Sequence, residues 1–97
     1  MLTTSGYFAT PNASRYLQQL CKHFGHKIEV SFDADAGRIQ FPMGLVTLNA
    51  DAKTLTIHAE AADAEGIANL QSVIDRHLER FAFREGFTRM TWDNAAE

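Results

Sequence analysis

The sequence predicts a two-layer α+β domain, an antiparallel sheet covered by two helices on one face, in the order β-α-β-β-β-β-α with a short closing strand. Three observations carry this. The stretches 12–27 and 63–84 repeat apolar residues at three- and four-residue spacing, the mark of helices that bury one stripe. The stretches before and between them alternate apolar with polar residues, which suits strands with one covered face and one open face. Turns rich in acidic residues, glycine and proline separate the alternating runs.

The first element is a strand from Leu2 to Thr10, with Leu2, Gly6 and Phe8 on one side and Ser5, Tyr7 and Ala9 on the other. Thr10-Pro11-Asn12 starts a helix, either with Thr10 as cap and Pro11 in the first helical position or with Asn12 as cap. Ala13, Tyr16, Leu17, Leu20, Cys21 and Phe24 form its buried stripe, and Arg15, Gln18, Gln19 and Lys22 face away. Gly25 is expected to end it in a left-handed conformation.

Four strands follow. Lys27–Phe32 directs Ile28, Val30 and Phe32 inward, and the turn Asp33-Ala34-Asp35-Ala36-Gly37 leads to Arg38–Phe41, with Ile39 and Phe41 inward. Pro42-Met43-Gly44 turns into Leu45–Ala50, and Asp51-Ala52-Lys53 turns into Thr54–Glu60, where Leu55, Ile57 and Ala59 share a face. Asp63 caps a second helix, Ala64 to about Arg84, whose inner stripe is Ile67, Leu70, Ile74, His77, Leu78 and Phe81 with Val73 at its margin. At about 1.5 Å per residue this helix spans roughly 30 Å. Glu85-Gly86 stops it, and Phe87–Asp93 supplies a last strand with Met90 and Trp92 on one face. The whole chain, 1–97, reads as one domain with a frayed tail at 93–97. A long C-terminal helix across a curved sheet is similar in architecture to TATA-binding-protein-like and helix-grip folds.

Composition removes several classes of function. The apolar runs fall far short of the roughly 20 residues that cross a bilayer, and MLTTSGYF lacks the basic and apolar regions of a secretory signal. A lone cysteine, Cys21, forms no internal disulfide and suits a reducing cytoplasm, where the protein is expected. A net charge of −3 argues against nucleic-acid binding, which needs clustered Lys and Arg. Charge is uneven, however. Arg76, Arg80, Arg84 and Arg89 fall on or near the second helix, so a local basic patch fits a small anion.

The candidate chemistry lies at the helix ends. Cys21, His23 and His26 form a C-x-H-x-x-H string, but Cys21 belongs to the apolar stripe and His23 lies about 200° round the helix from it. The donors diverge, so no metal is expected. His23 and His26, with Lys22 and Lys27, complement the negative end of the helix dipole. With Arg15 one and two turns back on the exposed face, they are also candidates to hold a carboxylate or phosphate. His77 stands on the inner stripe and needs a hydrogen-bond partner; as a satisfied core histidine it is structural, and with Arg80 and Arg84 it forms a second anion site. His58 projects from the open face with Thr54, Thr56 and Glu60. No nucleophile elbow, phosphate loop or H-E-x-x-H occurs.

Ser14-Arg15-Tyr16-Leu17-Gln18-Gln19-Leu20-Cys21-Lys22-His23-Phe24 and His77-Leu78-Glu79-Arg80-Phe81-Ala82-Phe83-Arg84 resemble the bacterial domain-of-unknown-function family 2218. The resemblance runs from the first strand through Trp92. It implies small stand-alone bacterial proteins with relatives joined to, or encoded near, siderophore-interacting flavoproteins, and it brings no activity. The family's characteristic positions fall here on Arg15, Tyr16, Cys21, Lys22, His23, His26, Lys27, His77, Arg80, Phe81 and Arg84. The turns Asp35-Ala36-Gly37 and Phe41-Pro42-Met43-Gly44 also fit.

The function expected is that of a non-catalytic accessory domain, without a cofactor, that binds a small anionic ligand or a protein partner such as a siderophore-interacting flavoprotein. The link would be to iron–siderophore metabolism. The alternatives are a small enzyme using His23 or His77 as acid–base on an acidic substrate, and a structural homodimer joined through the open sheet face or a strand edge.

Overall fold

Single alternation along the chain becomes one antiparallel sheet, and both helices lie on its apolar face. The computed structural model describes residues 1–93. It runs β1 (Leu2–Ala9), α1 (Ala13–Phe24), β2 (Val30–Phe32), β3 (Ala36–Phe41), β4 (Gly44–Ala50), β5 (Thr54–Ala61), α2 (Ala64–Phe81) and β6 (Thr91–Trp92), with a turn of 3-10 helix at Phe83–Glu85. The strand order is β2-β3-β4-β5-β1-β6. Every neighbouring pair is antiparallel, so β1 leaves its sequence neighbours and inserts between β5 and β6.

The two helices divide the sheet between them. α1 lies over β2, β3 and β4 and reaches β5, and α2 lies over β4, β5 and β1. The covered face supplies Ile39, Phe41, Val46, Leu48, Leu55, Ile57 and Ala59. Against these pack Leu17, Leu20 and Cys21 from α1 and Ile67, Leu70, Ile74 and Leu78 from α2, all buried. Each large aliphatic side chain so buried contributes about 1.5–3 kcal/mol of transfer free energy. On the open face Thr47, Thr56, His58 and Glu60 are part-exposed. There His58 Nδ1 lies 3.1 Å from Ser5 Oγ across the β1–β5 ladder.

Local chemistry starts and stops these elements. Asp63 caps α2 by accepting the Gly66 N–H at 2.8 Å. At the start of α1 the cap position is Asn12, yet its side chain makes no cap bond. Thr10 Oγ1 accepts the Asn12 N–H instead, at 3.1 Å. Asp33 and Asp51 close their turns in the same way, each carboxylate accepting two backbone N–H groups, which holds both carboxyls below the usual aspartate value.

Several expected boundaries differ. Gly25 is right-handed, with φ −61° and ψ −13°, and donates to Cys21 O at 2.9 Å. The helical winding continues through the loop, because Lys27 and Ile28 both donate to Phe24 O. β2 therefore begins at Val30 and not at Lys27. Phe32, expected inward, is 40% exposed: it lies on an edge strand, and alternation specifies a face without guaranteeing that a helix covers it. α2 ends at Phe81, not near Arg84. There the chain tightens so that Glu85 reaches Thr10 and Asn12, and Gly86, at φ 71°, makes the left-handed turn that a side chain would resist. The closing strand pairs only at Thr91–Trp92. Of the tail expected at 93–97, Asp93 is ordered by Thr4 and Ser5, and the rest lies outside the described residues.

Candidate functional site

The end of α1 faces the middle of α2, and the groups between them are mostly rings. His23 and His77 approach to 4.7 Å between ring centroids, tilted by 53°. Phe24 meets His23 edge-on at 5.0 Å and His77 at 4.8 Å, and it stacks edge-on against Phe41 at 4.9 Å. Phe81 flanks His23 at 6.1 Å. Around this cluster a cleft of about 420 Å³ is lined by His23, Phe24, His26, Lys27, Ile28, Phe41, Val73 and His77. Its walls are apolar where Phe24, Ile28, Phe41 and Val73 line them and cationic or imidazole elsewhere. None of its lining residues is acidic.

The sequence explains why these groups meet. Phe24 is the last member of the α1 stripe, so it is held against the sheet, and the turn that follows swings His26, Lys27 and Ile28 back across the helix end. On α2, Val73 and His77 are one turn apart at the margin of the buried stripe. His77 Nδ1 lies 2.7 Å from Val73 O. A carbonyl only accepts, so Nδ1 carries the hydrogen. His23 is held below the ordinary imidazole value of 6.5, first by desolvation and then by the positive potential of His77, His26, Lys27 and Arg80.

The candidate residues therefore separate into groups. His23, His26, Lys27 and His77 share the cleft, with Arg80 close enough to act on His23 electrostatically. Arg15 and Lys22 lie along a different, shallow groove on the outer face of α1 with Ser14, Gln18 and Gln19. Arg84 falls beyond the end of α2 and sits over the Phe83 ring at 5.7 Å. Cys21 is fully buried, its sulfur pressed against Gly37, and burial pushes its thiol up to about 11. It shares no site with His23. Among the described residues no three His, Cys, Asp or Glu side chains are grouped to hold a metal, and no helix is long and apolar enough to cross a membrane.

Sequence reasoning did not find the apolar half of the cleft. Phe24 and Val73 were legible as stripe and margin residues, but Phe41 and Ile28 arrive from other elements. It also missed two polar clusters. Glu85 accepts from Thr10 at 2.7 Å, from Asn12 at 3.2 Å and from Tyr16, tying the 3-10 turn to the start of α1. The Tyr16 hydroxyl is pushed up, first by burial and then by Glu85, while the bonds from Tyr16 and Thr10 draw Glu85 down. Asp75, in α2, accepts from Met90 N–H and Trp92 Nε1–H, both at 2.9 Å.

Residues 5–93 match the family model for an uncharacterised protein conserved in bacteria, domain of unknown function 2218. The chain belongs to that family. The solution structure of PA4090 from Pseudomonas aeruginosa is similar over the whole of both chains, with 31% identity and a TM-score of 0.84. No curated protein matches significantly. The two motifs of this family-2218 chain end up on opposite sides of one cleft, at His23 and at His77.

Proposed function

We propose that the cleft between α1 and α2 binds a small anion with a flat apolar body, and that the protein acts as a non-catalytic binding domain. The observation that supports this is the composition of the lining: imidazoles and a lysine beside four apolar side chains, with no carboxylate among them. A planar ring stacks on Phe24 and the imidazoles, while its charge meets Lys27 and His26 and draws a proton onto His23. An aromatic acid of this kind is compatible with the link to iron–siderophore metabolism implied by the family resemblance.

Benzoate is the simplest probe. At about 0.45 kcal/mol per non-hydrogen atom it binds in the millimolar range, which amide chemical-shift titration detects. The expected result is saturable shifts at residues 23–28, Val73 and His77, abolished by His23→Ala with Lys27→Ala. Arg15→Gln, in the separate outer groove, leaves the titration unchanged. Shifts confined to the Arg15–Lys22 groove, or no saturable shift at all, would refute the reading.

A further inference from the structure

We infer that the ligand of this cleft carries a hydrogen-bond donor beside its anionic group, and that His77 selects for it through an unprotonated Nε2. The inference rests on the proposed cleft function and adds to it the ligand class, a hydroxyl-bearing aromatic acid. His77 is a specificity residue in this reading, not an anion holder.

Val73 O lies one turn before His77 and takes the Nδ1 hydrogen at 2.7 Å. A neutral imidazole has one N–H, so Nε2 presents a lone pair. Because Nδ1 points back to the helix's own backbone and the ring lines the cleft, Nε2 is the nitrogen left for a ligand. No group among the described residues hydrogen-bonds to it. The remaining polar groups of the lining are Lys27, which only donates, and His23 and His26, each of whose rings carries at least one N–H donor in either tautomer. The site thus offers one fixed acceptor opposite a set of donors. A ligand with only acceptor atoms leaves Nε2 desolvated and unpaired, which a buried polar group tolerates poorly.

Spacing narrows the class. The His23 and His77 rings are 4.7 Å apart, with Phe24 packed against both. A carboxylate at His23 and a hydroxyl at His77 must then leave one ring from the same edge, as they do in a meta-substituted benzoate.

The test compares benzoate, 3-hydroxybenzoate and 3-methoxybenzoate at pH 8, above the ordinary imidazole range. The wild-type protein is expected to bind 3-hydroxybenzoate about five- to ten-fold more tightly than 3-methoxybenzoate, the scale of one hydrogen bond made or left unmade. His77→Phe keeps a ring against Phe24 and removes the acceptor. It should erase the preference, bringing the ratio of 3-hydroxybenzoate to 3-methoxybenzoate affinity to about one whatever it does to the affinity for benzoate itself. His77→Met, flexible and apolar, is the second variant should the Phe ring disturb packing, with the same expected ratio. If benzoate binds but the hydroxyl adds nothing, or if the preference survives in both variants, the inference fails and the cleft reading stands. If none of the three acids binds at pH 8 the inference fails, and if benzoate does not bind at pH 6 either, the cleft reading fails with it.

Discussion

Replacing Asp75 by Asn tests the tie between the two ends of the chain. The Asp75 side chain, from α2, takes the Met90 N–H on Oδ1 and the Trp92 Nε1–H on Oδ2, both at 2.9 Å. These two donors carry β6 to the edge of β1, where the Trp92 ring covers Gly6 so closely that a Cβ there would lie 2.7 Å from it. Asparagine keeps the volume but supplies one acceptor, and its NH2 then faces a second donor. One charge-assisted bond is lost, worth about 1.5–3 kcal/mol. Relief of the carboxylate's desolvation returns part of it, so the net cost is about 1–2 kcal/mol, or a fall of about 4–16 °C in Tm for a domain of this size. Thermal and urea unfolding followed by circular dichroism measure the total, and Trp92 fluorescence reports whether the loss begins at β6.

The pH dependence of that cost has a defined sign. Burial, working against the Met90 and Trp92 bonds and Arg89, holds Asp75 above its ordinary value of 3.8. The native state then binds the proton more tightly than the unfolded chain. This stabilisation is full below 3.8 and lost as pH rises through the raised native value. The gap between wild type and Asp75→Asn should therefore narrow as pH rises from acid through that window and then level off. A variant as stable as wild type, or more stable, would mean that the carboxylate's two bonds hold β6 no better than the amide's one and that Asp75 is no tie.

Two further outcomes follow from burial and charge. Leu20, fully buried, should cost about 2–5 kcal/mol on replacement by Ala, while Gln18→Ala, on the outer side of α1, costs under about 0.5 kcal/mol; equal urea midpoints would contradict the assigned stripe. His23, held below 6.5 in the native state, leaves the unfolded chain binding more protons below that pH, so its contribution to stability is lost as pH falls from 6.5 through the lowered native value. His23→Gln should flatten the stability profile across that window, and an unchanged slope would show that neither desolvation nor the neighbouring positive groups hold the imidazole below its ordinary value.

Which parts of the site were legible depends on how local their cause is. His77 could be flagged because an imidazole on an apolar stripe needs a partner, and the partner proved to be Val73 O, four residues away on the same helix. His23, His26 and Lys27 could be flagged because they crowd one helix end. Arg15 and Lys22 share a helix with His23, but the angle between side chains on that helix sends them to a different groove. Helical periodicity continued to Arg84 puts it on the His77 face, but α2 stops about one turn earlier, at Phe81. Its end was decided by Glu85 bonding to Thr10 and Asn12, more than seventy residues earlier in the chain.

Periodicity alone determined the element types, the apolar face of each strand from β3 to β5 and most of the buried stripe of each helix, because these follow from the 3.6- and 2-residue repeats of the backbone, while on the edge strand β2 it left Phe32 uncovered. The α+β class and the two layers follow directly. The tertiary structure decided what those repeats do not encode: that β1 inserts between β5 and β6, that Asp75 holds Trp92 over Gly6, and that His23 meets His77 across a ring cluster. Each of these joins residues far apart in sequence. The outcome depends on the summed packing of two helices on one sheet, and no local pattern carries that sum.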